Sequence, residues 1–151
     1  MHCSYQIKAA DWNQNKPALS LVRKTVFIKE QQVPKELEWD EHDETAYHVL
    51  ALDSNDKPIG TGRIKSDGQI GRMAVLKEWR NQGVGKLLLD ALLNYAKKSA
   101  YPEIYLHAQL TAIPFYEKSG FIIHSDEFMD AGIPHKTMIL KPVISTETEK
   151  S

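Results

Sequence analysis

The chain has 151 residues, of which 42% are hydrophobic and 26% are charged, which is the make-up of one compact domain with a sizeable core. A formal net charge of −1 disfavours binding to a nucleic-acid backbone or to an acidic membrane surface. The single cysteine, Cys3, excludes an internal disulfide, and no stretch approaches the roughly 20 apolar residues of a membrane helix. We therefore expect a soluble, cytoplasmic protein without a nucleic-acid or membrane partner.

The first half of the chain predicts a strand, a helix and a meander. Residues 5–9 favour a strand, and Asp11 is a suitable N-cap for a helix after it. From Pro17 on, apolar residues recur at the spacing of one buried helical face. They are Ala18, Leu21, Val22, Thr25 and Val26. Residues 30–44 lack such a period and indicate a loop with room for a helical turn. Three strand-like segments separated by turn signals then predict an antiparallel meander. They are residues 46–52, 58–65 and 69–76.

After the meander the hydrophobic period becomes that of a helix. The predicted buried stripe consists of Val84, Leu87, Leu88, Ala91, Leu92, Tyr95 and Ala96. Residues 103–109 predict a further strand, followed by a short helix. Thr111 is its expected N-cap, Pro114 lies in its first turn and Gly120 ends it.

The C-terminal part of the chain predicts a hairpin and a tail. Residues 121–128 and 135–142 form the expected hairpin around the sequence DAGIP. The polar residues 143–151 are expected to be a disordered tail. We thus predict one domain of the α/β class over residues 1–142.

The sequence WRNQGVGK, residues 79–86, joins the last meander strand to the long helix. Unpaired backbone N–H groups and the positive end of the helix dipole meet there, which favours an anion. Gly83 and Gly85 allow a phosphate to approach the backbone, and Arg80 and Lys86 add positive charge. The spacing fits neither a P-loop nor a dinucleotide fingerprint. On these residues alone, the alternative that the glycines only permit a tight turn is equally good.

Two motifs in order resemble those of the GNAT acyltransferases. RMAVLKEWRNQGVGKLLL is similar to the central motif Arg/Gln-x-x-Gly-x-Gly/Ala, which Arg80, Gly83 and Gly85 meet. AQLTAIPFYEKSGF is similar to the second hallmark, a strand and then a helix bearing a tyrosine. The resemblance extends to about Pro142 and implies the GNAT fold: a mixed central sheet with an antiparallel N-terminal meander, flanking helices and a C-terminal hairpin. VFIKEQQVP, His48, LHAQ and AGIPH look like the ElaA/YjcF-like branch.

The resemblance implies acetyl-CoA or another acyl-CoA as co-substrate, with no metal. Its pyrophosphate would lie on the loop formed by Arg80, Asn81, Gln82, Gly83, Val84, Gly85 and Lys86. The backbone of Met73, Ala74 and Val75 would pair with pantetheine like an added strand. The N–H of Val75 would stabilise negative charge on the thioester oxygen. Gln109 stands where many relatives have an asparagine that contacts the cofactor.

Tyr116 takes the position of the family tyrosine, which implies that its hydroxyl protonates the departing CoA thiolate. The alternative for Tyr116 is plain aromatic packing beside Phe115. The resemblance leaves the general base and the residues that bind the acceptor open. Candidates for these roles are Glu30, Glu38, His48, His107 and His135, each of which could equally be a surface or structural residue.

The acceptor side carries mixed signals. Residues 36–44 hold six carboxylates, and such a run is usually a solvated loop. If this segment borders the acceptor groove, as the resemblance implies, it would favour a cationic acceptor such as an amine. Arg63 and Arg72 could equally favour an acceptor with a carboxylate or phosphate. The leading hypothesis is an N-acyltransferase that acts on a primary amine of a small molecule or peptide. A non-catalytic CoA-binding module and an O-acyltransferase are the alternatives, and a homodimer is left open.

Overall fold

A computed structural model describes residues 5–32 and 41–140, so the polar tail and most of the acidic segment lie outside the described residues. The chain divides into two compact units, Met1–Pro102 and Glu103–Ser151. No helix in the described ranges has both the length and the hydrophobicity needed to cross a bilayer.

The first unit contains four antiparallel strands and two main helices. The strands β1 (Tyr5–Ala10), β2 (Tyr47–Asp53), β3 (Pro58–Ile64) and β4 (Gln69–Val75) pair in chain order, which confirms the meander. Helix α1 (Trp12–Arg23) continues into a π-helical segment (Lys24–Glu30), and α2 (Val84–Lys98) packs on β2, β3 and β4. Glu41–Glu44 and Lys77–Trp79 form 3₁₀ turns.

The start of α1 confirms its predicted cap. The Asp11 carboxylate accepts a hydrogen bond from the backbone N–H of Gln14 at 3.0 Å, and Trp12 opens the helix. The same carboxylate therefore satisfies one of the N–H groups that a helix start leaves without a partner.

The buried faces of the two long helices match the predicted stripes in part, because Val22, Val84, Leu88, Leu92 and Ala96 are buried as expected. Leu21 and Leu87 were expected in the core but are 52% and 45% exposed. The residues that are buried in α1 include Leu19 and Arg23, and those in α2 include Leu89. Several leucines are adjacent in α2, and Leu19 and Leu21 lie two residues apart in α1, so apolar spacing alone does not fix the rotation of either helix. In α1 the rotation follows from the buried pair of Arg23 with Asp43. The hydrophobic pattern could not predict this, because it counts arginine as a polar residue.

The second unit is built around its longest strand. Strand β8 (Ile133–Leu140) pairs antiparallel with β5 (Tyr105–Gln109), with β6 (Phe121–Ile123) and with β7 (Phe128–Asp130). The predicted C-terminal hairpin is confirmed, but its first arm forms two short strands. The turn between β7 and β8 has Ala131 and Gly132 at positive φ, as a tight hairpin turn requires.

The short helix α3 (Ile113–Glu117) lies between β5 and β6. The prediction that Thr111 caps it was wrong, because Leu110–Ala112 forms a 3₁₀ turn that places Ala112 at the cap position. The prediction for Gly120 is confirmed: its φ of 98° ends the helical region, and its N–H donates to the carbonyl of Glu117 at 3.0 Å.

Strand β4 contains a bulge that the sequence pattern did not predict. Thr61 of β3 faces Ala74, while Arg63 faces Gly71, so Gly62 alone lies opposite Arg72 and Met73. Arg72 has a φ of 50°. A Cβ on Gly62 would lie 2.6 Å from the sulfur of Met73, so the glycine makes room for the extra residue. The bulge interrupts the regular ladder immediately before the end of the strand.

Candidate active site

The loop between β4 and α2 is shaped as the anion hypothesis requires. Asn81 and Gly83 both have positive φ, at 64° and 86°, and Gly83 is the N-cap residue of α2. In the described part of the chain, no side chain caps this helix. The first N–H groups of α2, those of Val84, Gly85 and Lys86, have no preceding helical turn to supply carbonyl partners. The loop therefore directs several N–H groups and the positive end of a 15-residue helix toward the same region.

Two contacts hold this loop on the first unit. The Tyr5 hydroxyl donates to the carbonyl of Gln82 at 2.9 Å, and the Gln82 amide donates to the carbonyl of Glu78 at 3.1 Å. The ring of Tyr5 also packs edge-on against Trp79, with centroids 6.0 Å apart. Lys86 is exposed and pairs with Asp90 one turn along the helix at 3.0 Å. Strand β1 thus braces the loop by contacts that local sequence could not reveal.

The Arg80 side chain binds two partners within the first unit. Its Nε donates to the carbonyl of Val75 at 3.0 Å. Its two terminal nitrogens bond the Glu30 carboxylate in a bidentate arrangement at 2.6 and 2.7 Å. This hydrogen-bonded pair lowers the pKa of Glu30 and raises the pKa of Arg80, against the opposing effect of partial burial. Glu30, a candidate base, is therefore held as a carboxylate against the Arg80 guanidinium, at the start of the loop between β4 and α2.

The backbone predicted to pair with pantetheine lies at and after the bulge. Met73 is one of the two bulge residues, and Ala74 and Val75 face Thr61 and Gly60 of β3. Ala74 is buried. The Val75 carbonyl accepts from Arg80, so the end of the strand and the start of the donor loop are joined.

A buried ion cluster was missed by the sequence analysis. Arg23 binds Asp43 through both terminal nitrogens at 3.0 Å, and Arg63 binds the same carboxylate at 2.6 Å. All three side chains are buried. The cluster fixes the two ends of the segment between residues 23 and 43 to each other and to β3. Because Arg63 is buried and bound to Asp43, it is not available at the surface for the anionic acceptor that the sequence left open.

His48 lies beside this cluster, inside the first unit. Its Nε2 donates to the carbonyl of Asp43 at 2.8 Å, and its ring stacks on Trp12 at 5.4 Å. Its Nδ1 is fully enclosed and has no hydrogen-bond partner among the residues that the structure describes. Burial lowers the pKa of His48, which favours the neutral ring. Because the folded pKa lies below that of the unfolded chain, this residue contributes stability above about pH 6.5 that is lost as the pH falls.

Tyr116 lies in α3 and is buried within the second unit. Its ring packs edge-on against Phe115 and Phe121, with centroid distances of 5.0 and 5.9 Å. Burial raises the pKa of Tyr116 to about 12. The phenol consequently stays protonated at every pH at which the protein would be assayed.

The other predicted residues of the second unit lie around Phe128. His107 packs edge-on against that ring at 5.2 Å, and His135 stacks on it at 6.1 Å. His135 also faces Gln109 in the strand register. The Nδ1 of His135 donates to the carbonyl of Ile133 at 2.6 Å, so its Nε2 carries the lone pair in the neutral ring. His107 is exposed, whereas His135 is buried.

Two further observations bound the site. A cavity of about 510 Å³ beside Trp12 and the stacked rings of Tyr47 and Tyr95 is lined by none of the predicted site residues that the structure describes, so we assign it no role in the reaction. Within residues 5–32 and 41–140, no cluster of His, Cys, Asp and Glu side chains could hold a metal ion. Glu38, the remaining candidate, lies outside the described residues.

Comparison with known proteins identifies the family. The sequence profile of the acetyltransferase (GNAT) domain matches residues 9–142. The chain belongs to the GNAT acetyltransferase family. The uncharacterized N-acetyltransferase YjcF of Bacillus subtilis is 42% identical to this GNAT chain over 122 residues, which are 78% of the chain and 86% of YjcF.

Solved structures agree with this identification. ElaA of Escherichia coli is 27% identical, with a TM-score of 0.80 over 90% of the chain and 99% of ElaA. A Bacillus anthracis protein solved in complex with acetyl coenzyme A is also 27% identical, with a TM-score of 0.55 over 64% of the chain and 62% of that protein. The predicted GNAT fold and the resemblance to the ElaA/YjcF-like branch are both confirmed.

Proposed function

We propose that this protein transfers an acetyl group from acetyl-CoA to a primary amine of a small molecule or peptide. The observation that carries the proposal is the loop of residues 80–86, which combines positive φ at Asn81 and Gly83 with an uncapped helix start. In a member of the GNAT family, such a loop suits the pyrophosphate of an acyl-CoA. An acyl group other than acetyl would use the same donor contacts.

The donor is held mainly by backbone groups in this proposal. The N–H groups of Val84, Gly85 and Lys86 bind the pyrophosphate, and the helix dipole of α2 adds to its stabilisation. Lys86 is exposed and paired with Asp90, so its charge contributes less than the backbone does. The bulged end of β4 offers main-chain groups of Met73, Ala74 and Val75 to the pantetheine arm.

The reaction proceeds by direct attack. The lone pair of the neutral amine forms a C–N bond with the thioester carbon, and the C–S bond breaks as CoA departs. The amine loses one proton and the thiolate gains one, so the products are the amide and the CoA thiol. Negative charge on the carbonyl oxygen needs a fixed donor, a role for which the Val75 N–H stays our prediction.

We assign the proton donor to Tyr116 from its position in the family motif. A phenol with a pKa of about 12 is fully protonated under assay conditions, so it is always able to donate. It is also a weak acid compared with a thiol, whose pKa is about 8.5. The hydroxyl therefore acts best by donating a hydrogen bond to the sulfur as charge develops there, and any proton that it passes to the thiolate is replaced by the proton that the amine loses.

Among the base candidates, His135 has the most suitable tautomer. The hydrogen bond from Nδ1 to Ile133 orients the ring and leaves Nε2 able to accept a proton. Glu30 is engaged by Arg80 and has a lowered pKa, which makes it a weaker base. His48 is enclosed beside Asp43, so we assign it a structural role.

An acceptor screen tests the proposal against its alternatives. The protein is incubated with acetyl-CoA and with pairs of probes that differ only in the nucleophile, such as benzylamine and benzyl alcohol, or a peptide with a free or a blocked amine. Release of CoA thiol is measured together with the acetylated product. We expect turnover with amines only. Preference for alcohols would support an O-acyltransferase, and tight CoA binding without turnover would support a binding module.

A further inference from the structure

The guanidinium group of Arg80 presents its two edges to different partners. The Nε edge is fixed on the Val75 carbonyl at 3.0 Å, which sets the plane of the group at the end of β4. The remaining fork of two terminal nitrogens then faces one position, where Glu30 lies at 2.6 and 2.7 Å. A fork of this kind binds one carboxylate or one phosphate in a bidentate manner, and not both at once.

The ion pair of Arg80 with Glu30 is partly exposed, which suits the exchange of one anionic partner for another. Arg80 and Glu30 have side-chain exposures of 35% and 38%, so solvent screens their attraction. The buried Arg23–Asp43 pair of the same unit, in contrast, is fully enclosed. Arg80 also directly precedes the loop that we propose for the pyrophosphate. A dianionic pyrophosphate at the loop would repel the Glu30 carboxylate and offer the fork a more highly charged partner.

From these contacts we infer that Glu30 occupies the Arg80 fork in place of the donor's pyrophosphate, and that acyl-CoA binding exchanges one anion for the other. The inference rests on the proposed donor site. Glu30 is the last residue of the π-helical segment Lys24–Glu30, so the exchange releases the C-terminal end of this segment from Arg80. At the N-terminal end of the same segment, the preceding residue Arg23 stays bound to Asp43. Glu30 thereby weakens donor binding and speeds the departure of product CoA.

Calorimetric titration tests the competition, because it shows whether the loss of the Glu30 charge raises or lowers the affinity for CoA. Glu30→Gln removes the charge and keeps the size, and Glu78→Gln is the matched control because Glu78 is an exposed carboxylate near Arg80. The titrants are CoA and pantetheine, which lacks the pyrophosphate. We expect Glu30→Gln to bind CoA about fivefold more tightly and Glu78→Gln to stay within about twofold of the wild type. Pantetheine affinity should be equal in all three proteins.

Hydrogen exchange tests the release of the segment. In the wild type, CoA should speed amide exchange in residues 24–30, because the Glu30 contact is lost. In Glu30→Gln the exchange should already be faster without CoA and should not change further when CoA is added. Glu30→Asp, whose shorter side chain fits the fork less well, should shift both readouts in the same direction as Glu30→Gln.

The outcomes separate this inference from the proposed function. Weaker or unchanged CoA binding by Glu30→Gln would overturn the exchange and make Glu30 a positioning residue for Arg80 or a residue without a role in binding. Protection of residues 24–30 by CoA would overturn it as well. If the wild type binds neither CoA nor acetyl-CoA, the donor site itself is wrong.

Discussion

Tyr116 joins two properties that one substitution can separate. Its ring fills a buried position against Phe115 and Phe121, while its hydroxyl is the proposed proton donor. Tyr116→Phe keeps the ring, so packing and acyl-CoA affinity should be nearly unchanged. Because a general acid acts in the transition state, kcat should fall by roughly 10²-fold. Steady-state kinetics with an acceptor from the screen measures this effect, and thermal unfolding controls for the fold.

The pH dependence sharpens the same prediction. With a pKa of about 12, Tyr116 contributes no titration step to kcat between pH 6 and pH 10, so Tyr116→Phe should lower the whole pH profile without moving its limbs. Equal kcat in the two proteins would show that water or another side chain protonates the thiolate, and Tyr116 would then be a packing residue.

At the scale of single elements, the bulge in β4 depends on Gly62. A Cβ at this position would lie 2.6 Å from the Met73 sulfur and 3.1 Å from a Leu92 methyl carbon, so Gly62→Ala should overpack the interface between β3, β4 and α2. We expect a loss of about 1–3 kcal/mol in the free energy of unfolding. CoA affinity should fall too, because Met73 is one of the residues proposed to line the pantetheine arm.

Gly71 in the same strand is the matched control for this change. A Cβ there would meet nothing within 4 Å, so Gly71→Ala should change stability by no more than about 0.5 kcal/mol. Denaturant unfolding of both variants measures the difference. Similar stabilities for the two variants would mean that Met73 and its neighbours adapt freely and that Gly62 is not required for the bulge.

The elements also show what the sequence could and could not predict. Strand positions, helix positions and the Asp11 cap were predictable, because alternation, helical period and capping chemistry are local. The rotation of α1 was not, since it depends on Arg23 reaching Asp43 across 20 residues of chain. The bulge was not predictable either, because it is set by the pairing of β4 with the neighbouring strand β3. The glycines of β3 and β4 and the polar Arg72 also interrupt the alternation of apolar and polar residues from which a strand register is inferred.

For the whole molecule, the ordered motifs were enough to predict the GNAT family and its fold. Candidate site residues could be assigned only where the motif itself names them, as in the loop of residues 80–86 and at Tyr116. The partners of those residues come from distant parts of the sequence: Glu30 for Arg80, and Tyr5 for Gln82. Local sequence patterns contain no information on such pairs. The sequence therefore offers Glu30 as a candidate base but gives no reason to expect that it binds Arg80.

The most direct test of the central claim is calorimetric titration of CoA into Gly83→Val, with Gly132→Val as its control. Both glycines have positive φ, 86° and 78°, so both substitutions impose similar backbone strain, but only Gly83 lies in the proposed donor loop. We predict that Gly83→Val binds CoA at least about tenfold more weakly than the wild type and that Gly132→Val binds it normally. Wild-type affinity in a folded Gly83→Val protein would contradict the assignment of the donor to this loop.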